Sequence, residues 1–220
     1  MSPSASPDPE SGRPARPATG RRRAAAVPSL SIGRLDDVVP GALLVAMPSL
    51  TDPTFAGTVI YVLDHSDSGT VGVVLGRPSQ VAIRDVLPGW YDLAVEPGVF
   101  HVGGPCETDT ALCLGTTGDA AGPGSGLRPV AGDVHLVDLD ADPDDVAGQL
   151  TGLRVFAGYA GWAGGQLATE IAEGAWACVP GLTGDVLGDV SGPELWRQVM
   201  GRQTGRLGVL STAPADPSVN

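Results

Sequence analysis

The residues with the means to do chemistry in this 220-residue sequence are few: three histidines, three cysteines and a run of aspartates. His101, Cys106 and Cys113 lie closest together, with His65 beside Asp64 and His135 further along. Their spacings fit no zinc knuckle and no His-Glu-x-x-His helix is present, so the sequence predicts no metal site and no cofactor. Cys106 with His101 would suit thiol catalysis only if one could activate the other. Five residues apart on a single strand they fall on opposite faces, unless Gly103, Gly104 and Pro105 bend the chain. The plainer reading is a thiol at a tight corner, and no catalytic residue is assigned.

The acidic run DLDADPDD, residues 138–145, places Asp138, Asp140, Asp142 and Asp144 at alternate positions, as a calcium loop would. Its sixth position is Pro143 where such a loop needs glycine, and its twelfth is Gln149 where it needs a bidentate glutamate. The run therefore predicts a strand end followed by a helix, with Asp142 as cap, Pro143 in the first turn and two acidic residues at the positive end. No Gly-x-Ser-x-Gly elbow and no phosphate-cradling Gly-x-x-x-x-Gly-Lys loop is found, and all thirteen basic side chains are arginine. Lysine-based Schiff-base and phosphate chemistry is thereby excluded.

The stretch RVFAGYAGWAGGQLATEI, residues 154–171, sets Gly158, Gly161, Gly164 and Gly165 around two aromatics. It predicts a strand, a glycine-rich corner and a short helix from Gln166, with tight packing at Gly161 and with Tyr159 and Trp162 covering core. A nucleotide loop of Gly-x-Gly-x-x-Gly form is absent.

These stretches need elements to position them. GALLVAMP (41–48) reads as a buried strand closed by Pro48, and residues 55–65 and 70–78 as a hairpin around His65–Gly69. Pro78 should end the second arm. Residues 81–89 suggest one helical turn, 98–106 and 111–117 two strands, 118–132 a Gly/Pro-rich loop and 133–140 an alternating strand. AWACV (175–179) is another strand, and GPELWRQVMGR (192–202) an amphipathic helix. The connections of the first half are too short for parallel crossovers, so antiparallel pairing should predominate. The residues thus predict one mixed α/β, or α+β, domain.

Charge is unevenly spread. Five arginines against Asp8 and Glu10 leave residues 1–28 at +3, while eight arginines against twenty-three carboxylates leave the remainder at −15. The acidic remainder carries no basic stripe, which disfavours nucleic acid as its partner. The organisation expected is a disordered Pro/Arg-rich tail over 1–28, a single domain over 29–210 and a loose tail over 211–220. An odd, scattered set of Cys106, Cys113 and Cys178 fits free thiols in a reducing compartment, and the longest apolar runs are too short to span a bilayer. A cytoplasmic protein without membrane contact is expected.

Three ordered blocks, GALLVAMPSLTDPTFAGTVIYVLDHSDSGTVGVVLGRPSQVAIRDVLP, VFHVGGPCETDTALCL and RVFAGYAGWAGGQLATEIAEGAW, resemble the YqgE/AlgH family of bacterial proteins over roughly residues 34–208. The resemblance implies a bifurcated, mostly antiparallel sheet folded into a pseudo-barrel with flanking helices. It brings no established mechanism, only an uncharacterised or transcriptional-regulator label. The chain departs from the family pattern at Gly76, Cys106 and Cys113–Leu114, and in the Ala163–Gly164 of GWAGGQL, so cysteine catalysis would not be a shared property.

Polar and aromatic residues at glycine-rich reversals are the remaining candidates for binding: Asp64, His65, Arg77, Gly103, Gly104, Tyr159, Trp162 and Gln166. The function expected is a non-enzymatic binding or regulatory module acting through a protein partner or a small anionic ligand. The alternatives are direct transcriptional regulation and a hydrolase built around His65, Arg77 and His101.

Overall fold

The computed structural model describes residues 35–118 and 126–211. The expected tail over 1–28 and the stretch from 212 onward lie outside those residues, as does the middle of the expected 118–132 loop. Ten strands run in order: β1 (Ala42–Ala46), β2 (Val59–Ser66), β3 (Gly69–Val74), β4 (Pro78–Ala82), β5 (Val99–Val102), β6 (Cys106–Thr117), β7 (Leu127–Ala131), β8 (Val134–Val137), β9 (Leu150–Ala163) and β10 (Trp176–Pro180). Among the described residues six short α-helices accompany them: α1 (Ile83–Val86), α2 (Pro143–Ala147), α3 (Gln166–Ala172), α4 (Thr183–Leu187), α5 (Gly192–Gly201) and α6 (Arg206–Leu210).

The main path of the sheet is β10-β1-β2-β3-β9-β6-β8-β7. All its pairings are antiparallel, whereas β5 runs parallel against β9, as does the single bridge from Ala94 to Leu153. The sheet curls into a half-barrel. At Gly41, just before β1, an added Cβ would come within 2.4 Å of the Ala131 Cβ at the end of β7, so one end of the strand order folds back towards the other. The resemblance's forked sheet is present, and its branch point is visible in the hydrogen bonds. The Gly103 amide donates to the Ala157 carbonyl of β9 at 2.8 Å, and its carbonyl accepts from the Val74 amide at 2.8 Å. Gly103 is thus wedged where β3 leaves β9 and β5 takes its place.

Strand alternation sorts the core into three clusters. Leu43, Val45, Tyr61, Val73 and Phe156 fill the inside of the curl, closed by Leu195, Val199 and Met200 of α5. Leu44, Ile60, Val62, Val74 and Trp162 face outward under Leu167 of α3. Leu153, Val155 and Cys113 face a third cluster with Ile83, Trp90 and Val146. Both faces of β1 and β2 are therefore buried, which explains their near-continuous apolar runs.

Several elements depart from the sequence reading. The second arm ends at Val74, and Pro78 opens a further strand, β4, which pairs on one side only with β5; an edge strand tolerates a residue that cannot donate. β7 falls inside the expected loop, because its partner β8 supplies the pairing that local composition conceals. The helices α4 and α6 are each five residues long and carry too little periodicity to announce themselves. The Asp142 cap is as expected: its carboxylate accepts from the Asp144 amide at 3.1 Å.

Candidate functional site

Glycine 158 decides which way the candidate side chains face. Before it, the even residue Phe156 points into the half-barrel while Leu153, Val155 and Ala157 point out. After it, Tyr159 points in while Ala160 and Trp162 point out. Gly158 lies at φ 70°, and opposite it β6 slips, pairing Ala111 with Ala157 but Cys106 with Tyr159. The extra residues of β6 form a bulge, and the phase of β9 is reset there. A Cβ at Gly158 would sit 2.7 Å from the carbonyls of both Cys106 and Gly104; at Gly104 it would sit 2.2 Å from the Tyr159 backbone, and at Gly103 2.2 Å from the Gly158 carbonyl. Gly103 and Gly104 are therefore demanded by backbone closeness, which gives them a structural task.

Past this fork lies a recess of about 350 Å³ lined by the β2–β3 hairpin and the rims of β6 and β9. Asp64, Ser66 and Ser68 come from the hairpin, Cys106 from β6 and Tyr159 from β9. Asp64 pairs with Val71 and Val71 with Gly161, so these positions share the inner face. The carboxylate of Asp64 is exposed and has no side-chain partner among the described residues. The Ser66 and Ser68 hydroxyls bond each other at 2.7 Å. Tyr159 donates its hydroxyl to Glu107 Oε1 at 3.2 Å, and that carboxylate beside it raises the phenol's pKa by disfavouring a second negative charge. Glu107 is the one non-glycine among the described residues with positive φ, at 44°.

Gly161 does not pack tightly, contrary to the expectation from its sequence. A Cβ there would meet the Tyr159 ring at 3.4 Å and Cys106 Sγ at 3.8 Å, ordinary contact distances, and its backbone is unstrained. Its missing side chain leaves the recess open beside the Tyr159 ring.

The other candidates are placed elsewhere. His65 pairs with Thr70 and so faces away from Asp64, and its Nδ1 lies 2.7 Å from the Thr70 hydroxyl. Arg77 donates to the Thr54 carbonyl at 2.7 Å and holds the turn before β2; burial lowers its pKa. Trp162 borders the recess, but its indole is buried in the outer cluster against Phe55 and Trp176. There Glu170 Oε2 accepts from both indole N–H groups, at 2.9 Å from Trp162 and 2.8 Å from Trp176. Gln166 brackets the start of α3, accepting from the Ala163 amide and donating to Glu170 Oε1. Structure thus sets Asp64 and Tyr159 in one recess, packs Gly103 and Gly104 against the backbone of β9 beside Tyr159, and turns His65, Arg77 and Gln166 to other partners.

His101 is only 3% exposed, with its ring 6.0 Å from that of Phe156. Burial first, and the nearby Arg154 second, push its pKa down to about 4, so the ring is neutral near pH 7. Arg154 is itself buried and donates to the carbonyls of Val186, Gly188, Glu96 and Leu187, pinning the end of α4 to the barrel. His65, Arg77 and His101 consequently have three unconnected sets of partners, and Cys106 stands at the recess while His101 is inside the protein. Cys113 is buried and its thiol is pushed up; Cys178, likewise buried, reaches about 12. Neither is a thiolate at neutral pH. Among the described residues no three His, Cys, Asp or Glu side chains gather as a metal site would require, and no helix is long and apolar enough to cross a membrane.

The residues that sequence reasoning missed are Ser66, Ser68 and Glu107. The alternation Asp64–Ser66 on one strand was a usable signal for the serines. Glu107 had none, because only the slipped register of β6 brings it beside Tyr159.

A forked half-barrel of mixed α/β type, with a polar recess at the rim of the fork, is the class of protein these features define. The chain belongs to the AlgH-like family, also called YqgE/AlgH or UPF0301, whose sequence profile matches residues 43–208. Among its relatives, a UPF0301 protein of Rhodococcus jostii is 46% identical over 185 residues, covering 83% of this chain and 92% of that one. A UPF0301 protein of Streptomyces avermitilis is 49% identical over 183 residues, covering 82% and 94%. A crystal structure of a Corynebacterium diphtheriae protein superposes with a TM-score of 0.75 at 37% identity, covering 80% of this chain and 93% of that one. The solution structure of the AlgH protein from Pseudomonas aeruginosa has a TM-score of 0.56 at 24% identity, covering 87% and 98%, and shares the fold.

Proposed function

We propose that this chain is a non-enzymatic binding module that engages a partner at the recess between the β2–β3 hairpin and the fork. The observation that carries this reading is Asp64: an unpaired carboxylate in a concave site beside the half-exposed Tyr159 ring. A recess of about 350 Å³ is at the small end of ligand sites, which run from about 300 to 1,000 Å³, so it suits one side chain or a small molecule. No base is hydrogen-bonded to its serine hydroxyls: no histidine lines the recess, Asp64 makes no bond to Ser66 or Ser68, and those two bond each other. No arginine lines it either, so the chemistry of this site favours a neutral or positively charged group over the anionic ligand expected from sequence. The net charge of −15 outside residues 1–28 points the same way and away from duplex DNA.

The test is amide chemical-shift mapping of the isotope-labelled full chain against a library of metabolites and short peptides. Shifts should centre on Asp64, Ser66, Ser68, Tyr159 and Gly161. Ligands that shift only other surfaces, or that bind Asp64→Asn and Tyr159→Leu chains as well as the parent, would remove the recess from consideration.

A further inference from the structure

The recess has a more specific chemistry than binding in general. We infer that it is a guanidinium site, built to take the side chain of an arginine presented by a partner protein; the assignment rests on the binding role proposed for this same recess. Exposed carboxylates stand in it and beside it: Asp64 in the lining, Asp67 in the hairpin turn between the two lining serines, and Glu107 on the bulge of β6, where it accepts from the Tyr159 hydroxyl. None of the lining residues is cationic. An anion entering here meets the repulsion of these carboxylates, and a cation is drawn in.

The kind of cation is set by the shape and the donors. A divalent metal needs several oxygens converging on one point, and among the described residues no three such ligands gather. The recess instead offers separated acceptors: the Asp64 carboxylate, and hydroxyl oxygens at Ser66 and Ser68. Between them and β6 stands an aromatic ring. Tyr159 flanks the bare backbone of Gly161, and its hydroxyl is committed to Glu107, which fixes the ring in place. A planar cation can lie along that ring while its edge donates a pair of hydrogen bonds to Asp64. Guanidinium does both; a lysine ammonium is a compact, strongly hydrated point charge that gains less from the flat face and the fork. The recess is also small enough to admit one such side chain and exclude a larger folded ligand.

The probe is the tripeptide Ac-Gly-Arg-Gly-amide, titrated into the labelled full chain at low salt, with the lysine and citrulline tripeptides as comparisons. Citrulline keeps the planar shape and loses the charge. The expected result is saturable shifts at Asp64, Ser66, Ser68 and Gly161 with a dissociation constant on the order of 1 mM, as suits a single half-exposed contact. Lysine should bind at least ~3-fold more weakly and citrulline at least ~10-fold more weakly, the latter because a charge-assisted bond becomes a neutral one. Asp64→Asn should weaken the arginine peptide ~10-fold, and Tyr159→Leu should narrow the gap between arginine and lysine. Equal binding of citrulline and arginine overturns the guanidinium assignment, as does a gap between arginine and lysine that Tyr159→Leu leaves unchanged. If arginine fails at the recess while a library compound binds there, the guanidinium assignment falls and the binding role stands. If neither arginine nor any library compound shifts these residues, both fall.

Discussion

Two regions of β9 carry glycines three residues apart, and they hold them for opposite reasons. At the fork, Gly158 is squeezed between the carbonyls of Gly104 and Cys106, and any side chain would collide with backbone. At the recess, Gly161 has room for a methyl group, and what matters is the space that its missing side chain leaves beside Tyr159. One glycine is there to let chains approach; the other keeps a surface concave. The same residue type in the same short motif thus reports on stability in one place and on binding in the next.

The sharpest way to break this comparison is at the fork. Gly104→Ala and Gly158→Ala should each lose at least about 3 kcal/mol in urea denaturation, or fail to fold, because the new Cβ meets backbone that cannot swing away. Losses under about 1 kcal/mol would mean that the fork is looser than its contacts imply. Next in size is Glu170→Ala, which strands two indole N–H donors, of which Trp162 and Trp176 are both buried. A cost of about 3 kcal/mol is expected, largely restored in Glu170→Gln, where one acceptor oxygen remains. An equal loss in both would assign Glu170's effect to its charge.

His101 tests the packing inside the fork through pH. Its pKa in the folded chain is about 4 against an ordinary 6.5, so between those values the unfolded chain takes up a proton that the folded chain refuses. The stabilisation is fully present above pH 6.5 and is lost as pH falls towards 4, by roughly 3 kcal/mol. His101→Phe should remove that part of the decline in stability measured between pH 7 and pH 4. An unchanged decline would assign it to other groups.

The smallest effect belongs to the recess. Gly161→Ala should change stability by no more than about 0.5 kcal/mol while reducing ligand shifts at Asp64 and Ser68. A cost comparable to Gly158→Ala would abolish the contrast between the two glycines.

Much of this molecule was legible from its residues, for physical reasons. The β2–β3 hairpin, the α2 cap and α5 are each specified within a short local stretch: alternation around an Asp/Ser/Gly turn, an Asp-Pro start, and an apolar stripe at helical spacing. The strands β4 and β7 were hidden because Pro78, Pro129 and Gly132 advertise a chain end or a loop, and only a partner strand elsewhere in the sequence makes them sheet. The site was half legible. Asp64 and Tyr159 stood out as polar and aromatic residues near reversals, and they line the same recess. His65 failed as their companion because alternation puts it on the other face, and Arg77 because the Thr54 carbonyl takes its guanidinium. Glu107 could not be foreseen, since the slippage of β6 against β9 is invisible until both strands are paired.

The reset at Gly158 also fixes how β9 can change in length. Counted along the strand, inward positions are even up to Phe156 and odd from Tyr159, so the strand has two parities joined at one residue. Gly158 is the one residue that the alternation does not count: deleting it would leave Tyr159 facing inward and Trp162 outward along a strand now regular. A single insertion or deletion at any other point would turn the side chains on one side of it over relative to those on the other. Length variation in this strand is therefore tolerated one residue at a time only at the fork, a constraint on the chain's evolution that no individual contact would reveal.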